Sequence, residues 1–507
     1  MEKTKNSIRG IIAGGINRVV GIVMPFVLRT VMINALGKEY LGLNSLFASI
    51  LSVLSLAELG FGSAMVYSMY NPIATKDNAK LCELLNLYRK IYRIIGCVIF
   101  CVGICLIPFL DTLTSGECPQ DVNLYILYII CLINTTITYF FGGYRSSVLI
   151  AHQRRDCVDI VNTINYVLFY PLQIVLLLIT KNYYIYTLII PVMSITSNLM
   201  NAYAAKKMYP NIFPEGKIRY EEKQAIYKNV GALFVQRIGT TISKSLDSII
   251  ISSFLGLAQL AIYSNYYYIF SSVESIAVIV FNSMTAGIGN ALITKSLHEN
   301  KYLFKKLLML TGWGAGWCSI CLLCLYQPFI ELWAGETYLL NISSVICFSI
   351  YFYINLWRRN VQMFKDAYGL WNQDKFKPLI GGFINLVCNV VLVKYWGING
   401  VIVSTIVSYV LIEMPWETIV LFRSYFKSGL KEYTYSSIKQ MVITCIIAGI
   451  TYSICTLVGK SGWFVLIIRT AICVVIPNTI FLLLNHRKEE FKSMCQMVKH
   501  ALYKAKL

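Results

Sequence analysis

Apolar residues run along this chain in blocks about as long as a bilayer is thick, and short polar stretches between the blocks carry most of the charge. A membrane helix needs about 20 mostly apolar residues. That length predicts fourteen spans, at 10–33, 43–68, 91–113, 123–148, 158–180, 184–205, 231–254, 261–290, 308–330, 342–364, 379–396, 399–422, 440–459 and 463–485. The first follows Lys3, Lys5 and Arg9, as a signal peptide would. It is too long for one and lacks a small-residue cleavage site, so a retained membrane helix is expected. The connections are short and leave no room for a soluble catalytic domain.

Composition agrees with this pattern. Of 507 residues, 57% are hydrophobic and only 14% charged, against about 25% charged in soluble domains. Charge adds the orientation. Lys and Arg number 45 against 25 acids, a net +20 that in a soluble protein would suggest nucleic acid. Here 36 of those cations fall in alternate segments that include both termini or at the span ends that border them, and the opposite set holds only Lys38, Lys181, Lys394 and Lys460. Positive charge collects on the cytoplasmic side of membrane proteins. Both termini are therefore expected in the cytoplasm, and the basic excess reflects topology, with no nucleic-acid partner.

The 16 cysteines do not alter the picture. Most sit in apolar runs and only Cys118 falls in an outer segment, so no extracytoplasmic disulfide network is expected. Cys97, Cys101 and Cys105, and Cys318, Cys321 and Cys324, share helix faces in a way that could ligate a metal. They read more simply as small apolar residues packing between helices. The four histidines, His152, His298, His486 and His500, all fall in inner segments, which leaves an enzyme on the outer face without a histidine base. No catalytic residue, metal or cofactor is expected.

A shift of 219 residues superimposes the start of the chain on its middle. Asn17-Arg18 falls on Gln236-Arg237, Leu36-Gly37 on Leu255-Gly256, Met65 on Met284, Asn71 on Asn290 and Thr75-Lys76 on Thr294-Lys295. Matched polar residues in this register indicate an internal repeat. The expected fold is an all-α integral membrane protein of about fourteen helices in two pseudo-symmetric six-helix lobes plus a C-terminal pair. Its parts are an N-terminal lobe at 1–205, a cytoplasmic linker at 206–230, a second lobe at 231–423, helices 13 and 14 at 424–485, and a basic cytoplasmic tail at 486–507.

A cation at the centre of a membrane helix costs about 2.5–3.5 kcal/mol even on the lenient insertion scale, so each needs a reason. Arg18 and Arg29 lie eleven residues apart, on one face and about 16 Å apart in height. Arg237 and Lys244 lie seven apart, about 10 Å along the other first helix. If those faces meet, a cationic cavity opens whose natural ligand is an anion. Guanidinium groups suit a diphosphate through bidentate hydrogen bonding. Pairing with buried acids is the competing reading, and Glu58, Asp247, Glu274, Glu413 and Glu417 are available. Lys244 and Asp247, three apart, could simply pair, and Arg29 could snorkel outward. Glu413 and Glu417 flank Pro415 in the twelfth span, consistent with ion coupling or with packing against a buried Arg.

The stretch TTISKSLDSIIISSFLGLAQLAIYSNY at 240–266 resembles the seventh-to-eighth helix region of polysaccharide repeat-unit flippases, the Wzx type within the multidrug/oligosaccharidyl-lipid/polysaccharide exporter superfamily. LAELGFGSAMVYSMYN at 56–71 and GYRSSVLIAHQ at 143–153 are similar to further segments of those proteins. The resemblance implies a transporter of the cytoplasmic membrane that moves undecaprenyl-diphosphate-linked oligosaccharide to the outer leaflet by alternating access. It implies substrate binding by Arg18, Arg237 and Lys244, with Arg29 on the same face as Arg18. Coupling to a proton or sodium ion would fall to Asp247 or Glu58. Peptidoglycan-precursor flippases and drug exporters of the same superfamily are the alternatives within transport. A membrane polymerase or ligase for lipid-linked sugars is the enzymatic one, and it lacks the large outer loop such chemistry needs.

Overall fold

The computed structural model describes residues 2–58, 61–115, 118–459 and 462–496. Side chains at 2–8, 11, 57, 225, 228–238, 240, 242–244, 282 and 286 lie outside the description. The described residues are all-helical and fall into two compact units, Met1–Ala261 and Ile262–Leu507.

The first unit holds α1 (Glu2–Ala35), α2 (Lys38–Leu54), α3 (Phe61–Thr75), α4 (Asn78–Cys105), α5 (Leu110–Leu113), α6 (Leu124–Phe140), α7 (Ser146–Ala151), α8 (Arg155–Thr180), α9 (Tyr183–Met208) and α10 (Tyr220–Leu255). α1 lies along α8, α8 along α9, and α6 between α4 and α9, while α10 packs on α2 and α3. Helix starts follow from side chains that satisfy the first free amides. Asp77 accepts from Lys80 N at 2.9 Å, and Asn123 and Asn182 accept from the amides of Tyr125 and Tyr184 at 3.0 and 2.8 Å. The repeated Leu-Gly pairs mark equivalent stops. Gly37 and Gly256 sit at φ +103° and +85°, a backbone region open to glycine without penalty.

The second unit begins within α11 (Leu257–Thr294). It continues with α12 (Leu297–Ala334), α13 (Ile342–Trp357), α14 (Arg359–Ala367), α15 (Lys377–Trp396), α16 (Ile398–Ser408), α17 (Met414–Leu421), α18 (Leu430–Leu457) and α19 (Trp463–Asn485). α12 opens on a capping box: Ser296 Oγ accepts from Glu299 N, and the Glu299 carboxylate accepts from Ser296 N. α12 packs on α13, α15 pairs with α16, and α18 and α19 lie against α12 and each other. π turns at Tyr409–Glu413 and Phe422–Phe426 flank α17.

Ten helices among the described residues are long and apolar enough to cross a membrane, or eleven if α6 and the segment Gly143–Ala151, bent by 47°, form one span. The chain is a multi-pass membrane protein. Three of the expected spans are broken: the one at 43–68 is divided between α2 and α3 by a 3₁₀ turn at Ser55–Glu58, the one at 123–148 at the bend after α6, and the one at 342–364 between α13 and α14. The expected span at 231–254 lies within α10, many of whose side chains there are outside the description. Outward faces remain apolar: Ile12, Ile16 and Val19 on α1 and Trp463, Phe464 and Ile467 on α19 are all exposed. Lipid is the solvent such faces require.

Candidate functional site: a cationic groove and a buried ion network

On α1, Gly10, Gly14, Asn17, Arg18 and Gly21 recur at three- and four-residue intervals and so share a face. On α8, Arg155, Asp159, Thr163 and Tyr166 do the same. Where these faces meet, a cavity of about 340 Å³ is lined by Gly10, Gly14, Asn17, Arg18, Gly21, Arg155, Asp159 and Tyr166. The glycines make the room. A Cβ at Gly14 would stand 3.4 Å from Asp159 Oδ2, and one at Gly21 would stand 3.4 Å from the Tyr166 ring. Thr163 Oγ1 donates to Asn17 Oδ1 at 3.3 Å and ties the helices together beside the cavity.

The charges in this groove are not matched. Arg18 is exposed and makes no ion pair among the described residues. Asp159 is 7% exposed, and its contact with the outward-lying Arg155 is long, at 3.9 Å. Two guanidinium groups and one carboxylate leave an excess positive charge in a cavity walled by apolar helices. Anionic oxygens are the ligands such a site favours.

The other expected site residues are more scattered. Arg29 is half-buried on α1 and engaged in an interaction of its own. Arg237 and Lys244 lie on α10, and their side chains are outside the described residues. Asp247, on the same helix, is 5% exposed and also engaged. Glu58 ends the 3₁₀ turn after α2 and faces two phenols: Tyr139 Oη donates to Glu58 Oε2 at 2.6 Å, and Tyr92 Oη donates to Oε1. The Tyr88, Tyr92 and Tyr139 rings pack edge-on and tilted against one another there, with centroids 4.5 and 5.1 Å apart.

In the second unit the acids of the twelfth span are fully engaged. Arg358, at the α13–α14 junction, is 3% exposed. It reaches Glu417 through Nη2 at 2.9 Å and Nε at 3.2 Å, and also binds Glu413. Its guanidinium lies 4.2 Å from the Tyr409 ring centroid. Gln362 donates to Glu417 Oε1 at 3.0 Å, and Lys377 binds the same oxygen while lying 3.3 Å from Asp374. Asp374 in turn holds Lys365 at 2.5 Å. Burial favours the neutral Lys365 amine, but the carboxylates of Asp366 and Asp374 outweigh it and hold the amine above its usual range. Arg359 and Asn355 converge on Glu274 at 3.0 and 2.8 Å. The π turn ending at Glu413 lies next to Pro415, which has no N–H to give the regular helix ladder.

Arg155, Asp159 and Tyr166 were not among the expected site residues, although their 155/159/163/166 spacing is a polar stripe on an otherwise apolar helix. Arg358, near the end of the expected span at 342–364, and Lys365 and Lys377, between that span and the next, were not among the expected site residues either. The Glu413–Glu417 pair was the visible half of their network.

Residues 7–286 match a family model described as polysaccharide biosynthesis protein. No protein of curated function matches the chain in sequence. Among solved structures, a lipid II flippase, MurJ, in an inward closed conformation is similar with a TM-score of 0.66 at 15% identity, over 95% of this chain and 99% of that one. An inward-facing multidrug resistance MATE family transporter of the MOP superfamily gives a TM-score of 0.64 at 13% identity, over 83% and 99%. A MOP superfamily transporter from Pyrococcus furiosus gives 0.53 at 12% identity, over 85% and 97%. The chain has the fold these transporters share.

Proposed function

We propose, from the premise that the chain belongs to the polysaccharide biosynthesis protein family, that it is a flippase for undecaprenyl-diphosphate-linked oligosaccharide repeat units. It works by alternating access in the cytoplasmic membrane, with both termini in the cytoplasm and no enzymatic step. The observation that carries this reading is the unmatched Arg18 beside Arg155 in the α1–α8 groove. A diphosphate supplies the oxygens that two guanidinium groups bind bidentately, and the lipid and sugar portions need no charged partner. In this reading Arg237, at the repeat-related position, supplies a second guanidinium, with Arg29 and Lys244 further along the same helices as additional substrate-binding cations. A proton or sodium ion couples through Glu58 or Asp247. The domain division proposed is two six-helix lobes, at 1–205 and 231–423, joined by the 206–230 linker and followed by the helices of 424–485 and the tail.

The similarity to a lipid II flippase over 95% of the chain supports a second reading, transport of a peptidoglycan precursor. Both substrates present a polyprenyl diphosphate to the same arginines and differ in the sugar. Deleting the gene and analysing the accumulated lipid-linked saccharides by mass spectrometry separates them. Accumulation of a polysaccharide repeat unit supports the first reading and accumulation of a peptidoglycan precursor the second. Accumulation of neither overturns both.

A further inference from the structure

Three helices of the second unit bring cysteines to one point. Cys324 on α12, Cys455 on α18 and Cys473 on α19 are each at most 1% exposed, and their Sγ atoms all lie within 4.8 Å of one another. Cys321, one turn from Cys324 on α12, packs on the same cluster. The remaining neighbours are Ile320, Ile443, Ile447, Ala448, Ile472 and their like, so the thiols have almost no polar company. Ordinary packing asks only for small apolar residues and gives no reason for sulfur on three separate helices.

A second feature lies beside them. Arg469 is 7% exposed within the last membrane helix. Its Nη2 donates to the carbonyl of Gly459, just past the end of α18, and its Nε has no hydrogen-bond partner among the described residues. Arg469 precedes Cys473 by four residues, and Gly459 follows Cys455 by four. On α19 that spacing is about one helical turn, or roughly 6 Å of rise, which puts Arg469 on the face that carries Cys473. The hydrogen bond to Gly459 ties that face to the end of α18 that carries Cys455. No acid pairs with it among the described residues, and a buried cation at this depth calls for a negative charge nearby.

We propose that Cys324, Cys455 and Cys473 form a thiolate site for a soft d¹⁰ divalent cation of the zinc class, with Cys321 as the neighbouring fourth donor and Arg469 as the balancing charge. Binding breaks three S–H bonds, releases three protons to water and forms three metal–thiolate bonds, and the Cys321 thiol, keeping its proton, completes the tetrahedron as a neutral donor. The divalent ion with three thiolates carries a single negative charge, which the Arg469 guanidinium neutralises. Zinc–thiolate bonds of about 2.3 Å in tetrahedral geometry set the sulfurs about 3.8 Å apart, so the cluster needs to close by only about 1 Å. That is within reach of side-chain adjustment. Oxygen-preferring cations are excluded by the all-sulfur donor set. The bound ion would fasten α18 and α19 to α12.

The test uses the full chain, purified in detergent with a phosphine reductant and stripped of metal, then titrated with Cd²⁺ and with Zn²⁺. Cd²⁺ should produce an ultraviolet thiolate charge-transfer band that saturates at one ion per chain, and Zn²⁺ should compete for it. The Cys324→Ser, Cys455→Ser and Cys473→Ser variants should each lose the saturable band, whereas Cys445→Ser, exposed on α18, should keep it. Arg469→Gln should bind about 10–100-fold more weakly, the range typical of groups that support a metal ligand from behind. The wild-type titration stands even if a variant fails to fold. Absence of a saturable band in the reduced wild-type chain overturns the proposal. So does an unchanged band in the Cys455→Ser or Cys473→Ser chain, or a finding that these two cysteines form a disulfide in the isolated protein and bind no Cd²⁺ after reduction.

Discussion

The α1–α8 groove and the α13–α17 ion network both place arginines among membrane helices, Arg18 exposed in an open groove and Arg358 buried, and they treat the charge in opposite ways. Around Arg358 every cation has a carboxylate within hydrogen-bonding distance, contributed by three separate stretches of chain. Around Arg18 the glycines of α1 hold space open, and the nearby carboxylate of Asp159 faces Arg155. Matched charges fix one arrangement of helices, because separating either partner exposes an uncompensated ion. A cation with no carboxylate partner among the described residues fixes no such arrangement and stays open to an anionic ligand. Charge alone therefore does not identify a candidate ligand site, and the partners around it have to be read as well.

Breaking the matched region should have the largest effect on stability. Arg358→Leu leaves Glu413 and Glu417 buried without their guanidinium partner, at a cost of about 3–5 kcal/mol. Fluorescence-detected size exclusion and thermal melting of the purified protein should show little folded variant. Adding Glu413→Gln and Glu417→Gln to Arg358→Leu should recover part of that loss, because the three residues form one coupled set. A stable Arg358→Leu single variant would contradict the matched-charge account.

Glu58 sharpens the comparison as an intermediate case, a carboxylate answered by phenols and by no cation among the described residues. Tyr139→Phe removes one of its two hydrogen bonds and should cost about 1–3 kcal/mol, read from thermal melting of the purified variant and wild type. A variant that melts with wild type would show that the phenols do not hold the carboxylate in place. Smaller still is Asn17→Ala, which loses only the Thr163 contact at 3.3 Å. It should cost about 0.5–1.5 kcal/mol and leave the groove open, so a loss of fold in this variant would show that the groove is held by far less than its packing suggests.

Much of this architecture was legible in the sequence because lipid imposes one rule on every span. The Leu36-Gly37 and Leu255-Gly256 repeat was legible as a helix stop because a positive φ selects glycine. Breaks inside spans were not. Hydropathy runs on through Ser55–Glu58, and the bend after α6 turns on Gly142 at φ +80°, which reads equally well as a packing glycine. Arg18 could be found because it interrupts an apolar run. Arg358 could not be separated from loop charges until Glu413 and Glu417 were seen to face it from helices more than fifty residues away. Composition reports that a charge exists, and only tertiary structure reports whether it is answered.

Flipping by the Arg18→Ala protein, reconstituted in vesicles with a polyprenyl-diphosphate-linked oligosaccharide, tests the central claim most directly. The variant should melt within about 0.5 kcal/mol of wild type, as expected for an exposed side chain with no ion pair among the described residues. Transport should nevertheless be lost, and Arg18→Lys should restore part of it by returning the charge without the bidentate geometry. Normal flipping by a well-folded Arg18→Ala protein would contradict the account and remove the groove from the transport path.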